Sequence, residues 1–176
     1  MKNTIVQLLI IAMLGASAVF MQACPKKDAV RAAVDASYRL PASTNDLIAK
    51  ITEGRDRGII TVDQSKKFGE LLSKVAASEV IYIGMVKAMK NAIDATGKPD
   101  AAAMKSLRDF FDVQIIGPFL NVLEIARVLS GDSVQVILLA VTAVRLLLHT
   151  IAGGIGSNFS NQLAGGLGAP NEVRFA

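Results

Sequence analysis

Between residues 62 and 95, Phe68, Val75, Tyr82 and Met89 recur every seven residues, and Leu72, Val86 and Ile93 sit four residues after three of them. Side chains three, four and seven apart share one face of an α-helix, so this spacing writes one broad apolar stripe along a long helix. Such a stripe has to be buried against other elements, which makes the helix a bundle member. Thr61-Val62-Asp63-Gln64 is a capping-box pattern at its start, and Gly97-Lys98-Pro99 closes it.

The flanking sequence reads the same way. Residues 27–39 form a short helix stopped near Pro41. Ser43, with Asp46 three residues on, caps a second helix over 44–57 that Gly58 ends. Asp100 caps the next helix, which runs to about Leu129 with Leu107, Phe111, Ile115, Phe119, Val122 and Leu129 inward. Gly117-Pro118 lies inside it. Proline removes a backbone donor and clashes with the preceding turn, so a kink or break is expected there. The turn at 130–133 precedes a final helix over 133–152. No strand-like alternation bounded by hairpin turns is present. The expectation is an all-α fold, a single bundle of about five helices over 43–152, with a Gly-rich tail over 153–176. In that tail Ala152-Gly153-Gly154-Ile155-Gly156 recurs as Ala164-Gly165-Gly166-Leu167-Gly168. Glycine at this density favours coil; the functional alternative is a docking tail or close helix packing.

Composition narrows the function classes. The 176 residues carry 19 Lys and Arg against 15 Asp and Glu, a net charge of +4. That is too mild for a nucleic-acid partner. There is no Trp, and aromatics make up 5%, so a stacking platform is not expected. Hydrophobic residues reach 52%, and charge is uneven: residues 24–112 hold 27 charged side chains, and residues 113–176 hold six. The C-terminal part therefore supplies the core of a bundle or touches a membrane.

The N-terminus reads as a secretion signal over 1–23. Lys2 gives a short cationic start, Ile5 to Leu14 is apolar, and small residues follow at Gly15-Ala16-Ser17-Ala18. Met21-Gln22-Ala23-Cys24 then resembles the lipobox of bacterial lipoproteins, with Ala23 and Cys24 matching, Met21 standing for leucine, and Gln22 departing from the small-residue preference. The resemblance covers only these 24 residues. It implies that Cys24, the one cysteine of the chain, is acylated and holds residues 24–42 at a membrane. Several acyl chains at ~0.8 kcal/mol per buried methylene anchor durably where one does not. Pro25 in place of Asp implies, by the family's sorting habits, the outer membrane facing the periplasm. Two other readings stay open: cleavage after Ala18 with soluble export, and an uncleaved anchor.

The final helix carries the other distinctive pattern. Gln135, Thr142 and His149 are spaced by seven, Arg145 lies on their face, and nearly everything else is apolar. One reading is a central bundle helix with its polar edge at solvent; the other is a helix inserted into or lying on a bilayer. Arginine at a bilayer centre costs at least ~2.5 kcal/mol. In a bundle, Arg145 calls for a carboxylate, since an unpaired buried charge is costly. Glu79 falls on the apolar stripe between Leu72 and Val86 and is the first candidate; Glu124 is the second.

Enzyme signatures are lacking. His149 is the single histidine, and neither a zinc-binding H-E-x-x-H nor a G-x-S-x-G elbow occurs. Lys105, Arg108, Asp109 and Asp112 read as a solvated face with intrahelical pairs. No cofactor, metal or catalytic residue is expected. The functional expectation is a small periplasm-facing lipoprotein with a structural or partner-binding role, touching the membrane through Cys24 and a protein partner in the cell envelope. The alternative is a membrane-active protein whose helices over about 113–152 insert into or lie on a bilayer.

Overall fold

The computed structural model describes residues 26–98, 100–129 and 131–164. Every regular element among them is helical: α1 (Lys26–Asp56), α2 (Val62–Thr96), α3 (Ala101–Phe111), a π-helical turn (Asp112–Ile116), α4 (Gly117–Arg127), a short 3-10 turn (Asp132–Val134), α5 (Gln135–Ile155) and α6 (Ser160–Ala164). Because α3, the π turn and α4 run on without a break, the bundle has four long rods. The expected all-α bundle is what forms.

The predicted boundaries of α2 are built as the residues dictate. The Thr61 hydroxyl accepts from Gln64 N–H at 3.1 Å, and the Gln64 side chain accepts from Thr61 N–H at 2.8 Å. Gly97 ends the helix at φ 74, a left-handed conformation that glycine reaches without strain. Asp100 caps α3 through Ala103 N–H at 2.7 Å. Phe68, Leu72, Val75, Tyr82, Val86 and Met89 are all buried.

Pro41 does not stop the first helix. α1 is one rod of 31 residues with Pro41 inside it, so Ser43 is an interior position rather than a cap, and no boundary falls at residue 42. Pro41 leaves the Ser37 carbonyl without its usual helical donor and costs roughly 3 kcal/mol. The inward positions Ala33, Ser37, Leu40, Thr44, Leu47 and Ile51 keep their phase across it. Each large apolar side chain among them contributes about 1.5–3 kcal/mol on burial, which exceeds that cost. The N-terminal segment thus belongs to the bundle.

The irregularity expected at Gly117-Pro118 takes the form of the π turn. Gly117 N–H reaches back five residues to the Asp112 carbonyl, and this wide turn is where the continuous rod takes in Pro118, which has no N–H to give to the turn before it. The wide turn brings two adjacent pairs, Phe111 with Asp112 and Ile115 with Ile116, into the interior.

α1 packs along both α2 and α5; α2 also packs on the α3–α4 rod, which closes the ring against α5. α1 and α5 run antiparallel. Near one end a Cβ on Gly54 would lie 2.7 Å from Ile137 Cδ1, and near the other a Cβ on Gly154 would overlap the Ala29 carbonyl oxygen and Ala33 Cβ. The final helix therefore continues past residue 152, through the first glycine pair to Ile155, and Gly156 caps it at φ 69. Here the first copy of the glycine repeat is close helix packing rather than coil. The second copy lies outside the described residues.

Candidate functional site

The helix that carries the site is α5. Ile137, Val141, Val144, Leu148 and Ile151 point into the core. On the sequence pattern, the opposite edge should be the polar one. It is so only in part. Gln135 is exposed as expected, but Thr142, Arg145 and His149 are half-buried along one flank, and an apolar row shares the outward side: Val136 is 52% exposed, Leu139 49% and Leu146 40%, with Ala143 exposed between them. Positions 136, 139, 143 and 146 follow helical spacing, so they form one stripe. Scattered exposed hydrophobics are ordinary on a protein surface; these four differ in being aligned along one helix. α5 is also, among the described residues, the one helix long and apolar enough to cross a membrane; its best 18-residue window has mean hydropathy 2.0 and is 39% buried.

On the polar flank, His149 contacts another element and Thr142 its own helix. His149 Nδ1 lies 3.1 Å from the Ser160 carbonyl. A carbonyl only accepts, so Nδ1 carries the proton, and the ring ties α5 to α6. Thr142 donates back to the Leu138 carbonyl at 2.8 Å. Burial draws the Arg145 guanidinium below its ordinary pKa.

Arg145 was expected to pair with Glu79 or Glu124. None of the ion pairs among the described residues joins it to either. Glu124 is exposed on α4. Glu79 is buried as its stripe position requires, at 3% exposure, but its partner is on α1: the Thr44 hydroxyl donates to Glu79 Oε1 at 2.6 Å. Burial raises the Glu79 carboxyl above the usual carboxylate range, and the Thr44 hydrogen bond offsets part of that. One turn further along α2, the Tyr82 hydroxyl lies 3.2 Å from that of Ser37, which donates to the Ala33 carbonyl at 2.7 Å. Burial pushes the Tyr82 hydroxyl far above its usual value. Two hydroxyls seven residues apart on α1 thus meet two polar side chains three apart on α2. The sequence reading made Thr44 the first residue of a helix capped by Ser43, which gave no reason to set it against Glu79.

A second polar cluster was also out of reach of the sequence. Asp112 was assigned to a solvated face with Lys105, Arg108 and Asp109. Lys105 and Asp109 do pair on the surface, at 2.5 Å. Asp112 is buried instead and accepts from the Ser157 hydroxyl at 2.5 Å, while Ser157 Oγ accepts from Phe159 N–H at 3.1 Å. Arg108 donates to the Gly156 carbonyl at 3.2 Å. This cluster fastens the end of α5 to the end of α3, and the π turn is what aims Asp112 inward.

Cys24 lies outside the described residues, two positions before α1 begins. Among the described residues, no group of three or more His, Cys, Asp or Glu side chains converges as a metal site. In comparison with known proteins, no family model, curated protein or solved structure matches the chain.

Proposed function

We propose that the chain is a small exported helical lipoprotein, held at the outer membrane on its periplasmic side through acylated Cys24, with a structural or partner-binding role and no catalytic one. The observation that carries the binding part is the outward apolar stripe of α5 at Val136, Leu139, Ala143 and Leu146. The bundle does not use this face for its own core, and a partner of the envelope gains by covering it.

The arrangement of the described helices fits the same reading. Cys24 precedes Lys26, the first residue of α1. Gly154, near the end of α5, packs on Ala29 and Ala33. The described start of α1 and the C-terminal end of α5 therefore share one end of the bundle, and the stripe leads away from it. The test is metabolic fatty-acid labelling of the wild type beside Cys24→Ser. Label on the wild type alone is expected. Equal labelling, or none in either, removes the lipoprotein reading.

One observation favours a second reading, in which α5 inserts into a bilayer: its length and hydropathy suffice. Insertion would first have to release the buried half of α5 from α1, an amphipathic helix that carries charges of both signs along its exposed side. Leakage of liposomes caused by the protein, and lost on truncation after Leu129, would establish insertion in place of docking.

A further inference from the structure

The mouth of the α1–α2 hairpin, far from the outward stripe's anchor end, carries a groove of about 400 Å³ between the last turns of α1 and the first turns of α2. We propose that this groove binds a single-chain amphiphile with an anionic head, a fatty carboxylate or alkyl phosphate.

Four features point to that chemistry. The floor is apolar: Ile51 and Leu72 are 3% and 0% exposed beneath it. Val62, one of its walls, is 71% exposed, so an occupant's tail would remove a large apolar side chain from water. Two cations stand at the rim, Arg55 and Lys66. Arg55 is already engaged with Asp56 at 2.7 Å, whereas Lys66 enters none of the ion pairs found among the described residues. Lys66 is thus the cation that an anionic head would meet first, with Arg55 behind it. An anionic head on an apolar tail matches both the rim and the floor.

The fourth feature is Gly69. A glycine inside a helix costs roughly 0.5–1 kcal/mol relative to alanine. Close packing of a neighbouring element would account for that cost, as it does at Gly154. At Gly69, as at Gly84 and Gly153, there is no such neighbour, since a Cβ would meet nothing within 4 Å; Gly69 differs from those two in facing a groove. The space left free belongs to the groove that Gly69 lines.

The source of the amphiphile follows from position. α1 has 31 residues, roughly 45 Å at 1.5 Å per residue. The groove lies at the end of α1 away from Lys26, which follows Cys24 by two residues in the sequence, so the ligand is taken from solution rather than from the anchoring bilayer; this choice of source rests on the anchored reading.

Photo-crosslinking tests the site. The full chain, in lipid nanodiscs, is irradiated with a decanoate bearing a diazirine on its tail, and adducts are mapped by mass spectrometry. Adducts within residues 48–72 are expected, displaced by excess decanoate or decyl phosphate and not by decyltrimethylammonium. The more effective of the two competitors identifies the head. Gly69→Leu should fill the groove and cut these adducts about tenfold, with helicity unchanged. Lys66→Glu, a surface change that leaves the core alone, should cut them several-fold. Cys24→Ser should leave them in place, which separates this proposal from the lipoprotein reading. Adducts concentrated on α5, equal displacement by the cationic amphiphile, displacement by inorganic phosphate alone, or unchanged labelling in both groove variants would overturn it.

Discussion

α1 makes two long interfaces, and they are built on different chemistry. Toward α5 it offers alanines and takes glycine in return: Gly154 against Ala29 and Ala33, with Gly54 of α1 against Ile137 at the other end. Toward α2 it offers hydroxyls: Ser37 to Tyr82 and Thr44 to Glu79. The first interface depends on the absence of atoms, the second on hydrogen bonds that keep buried polar groups satisfied. Close packing without titrating groups is indifferent to pH; a buried carboxyl–hydroxyl seam responds to it. One helix can therefore hold a pH-indifferent partner on one side and a pH-sensitive one on the other.

The largest expected effect breaks the first interface. Gly154→Leu places a side chain where even a methyl group overlaps backbone, and should cost about 3 kcal/mol, at the upper end of overpacking penalties. At ~2–4 °C per kcal/mol, the melting temperature should fall by roughly 10 °C. The control is its neighbour: a Cβ on Gly153 meets nothing within 4 Å, so Gly153→Ala should be neutral or slightly stabilising. Equal melting temperatures for the two variants would show that the helices do not approach as closely as Gly154 requires.

The next effect breaks the second interface. Thr44→Val keeps the shape of the side chain and removes the donor to Glu79. A buried carboxyl that loses its hydrogen bond should cost about 1–3 kcal/mol, read by denaturant unfolding. Because the Thr44 bond holds the Glu79 pKa down, its loss should also raise that pKa further. A variant as stable as the wild type, with the same pH profile, would mean that the seam contributes nothing.

Much of this architecture is legible in the sequence, and the reasons it stops are specific. The seven-residue stripe of α2, its capping box and its closing glycine are local signals, and each one is realised. The inward set from Leu107 to Val122 is likewise correct, since periodicity alone decides it. The misses share a cause: a tertiary neighbour outweighed a local preference. Pro41 reads as a stop until α2 and α5 are seen to bury the residues on both sides of it. Gly154 reads as coil until Ala29 and Ala33 are placed beside it. Glu79 was correctly marked as a buried acid in need of a partner, but charge was the guide used, and a hydroxyl on α1 answers the need instead of Arg145. The outward face of α5 was the largest reversal. A helix with a narrow polar stripe is expected to wet it, yet α6 engages His149 on that flank, and an apolar row stays outside beside it.

The smallest expected effect sharpens the comparison without breaking either interface. Glu79→Gln leaves an amide oxygen to accept from Thr44 and acts as a permanent stand-in for the protonated carboxyl. Burial raises the folded-state pKa of Glu79 above its ordinary 4.5. The folded protein therefore holds this proton more tightly than the unfolded chain, and the associated stability is fully present below pH 4.5. It is lost as pH rises through the raised folded pKa, at ~1.4 kcal/mol for each pK unit of displacement. Wild type and Glu79→Gln should unfold alike at pH 4. The variant should become the more stable of the two as pH rises, and the gap should level off above the folded pKa. Thr44→Val should widen that gap, and Gly154→Leu should leave it unchanged, because its interface contains no titrating group. A wild-type profile that gained stability over this range relative to Glu79→Gln would place the charged form of Glu79 in a favourable site, and the two faces of α1 would then differ in packing alone.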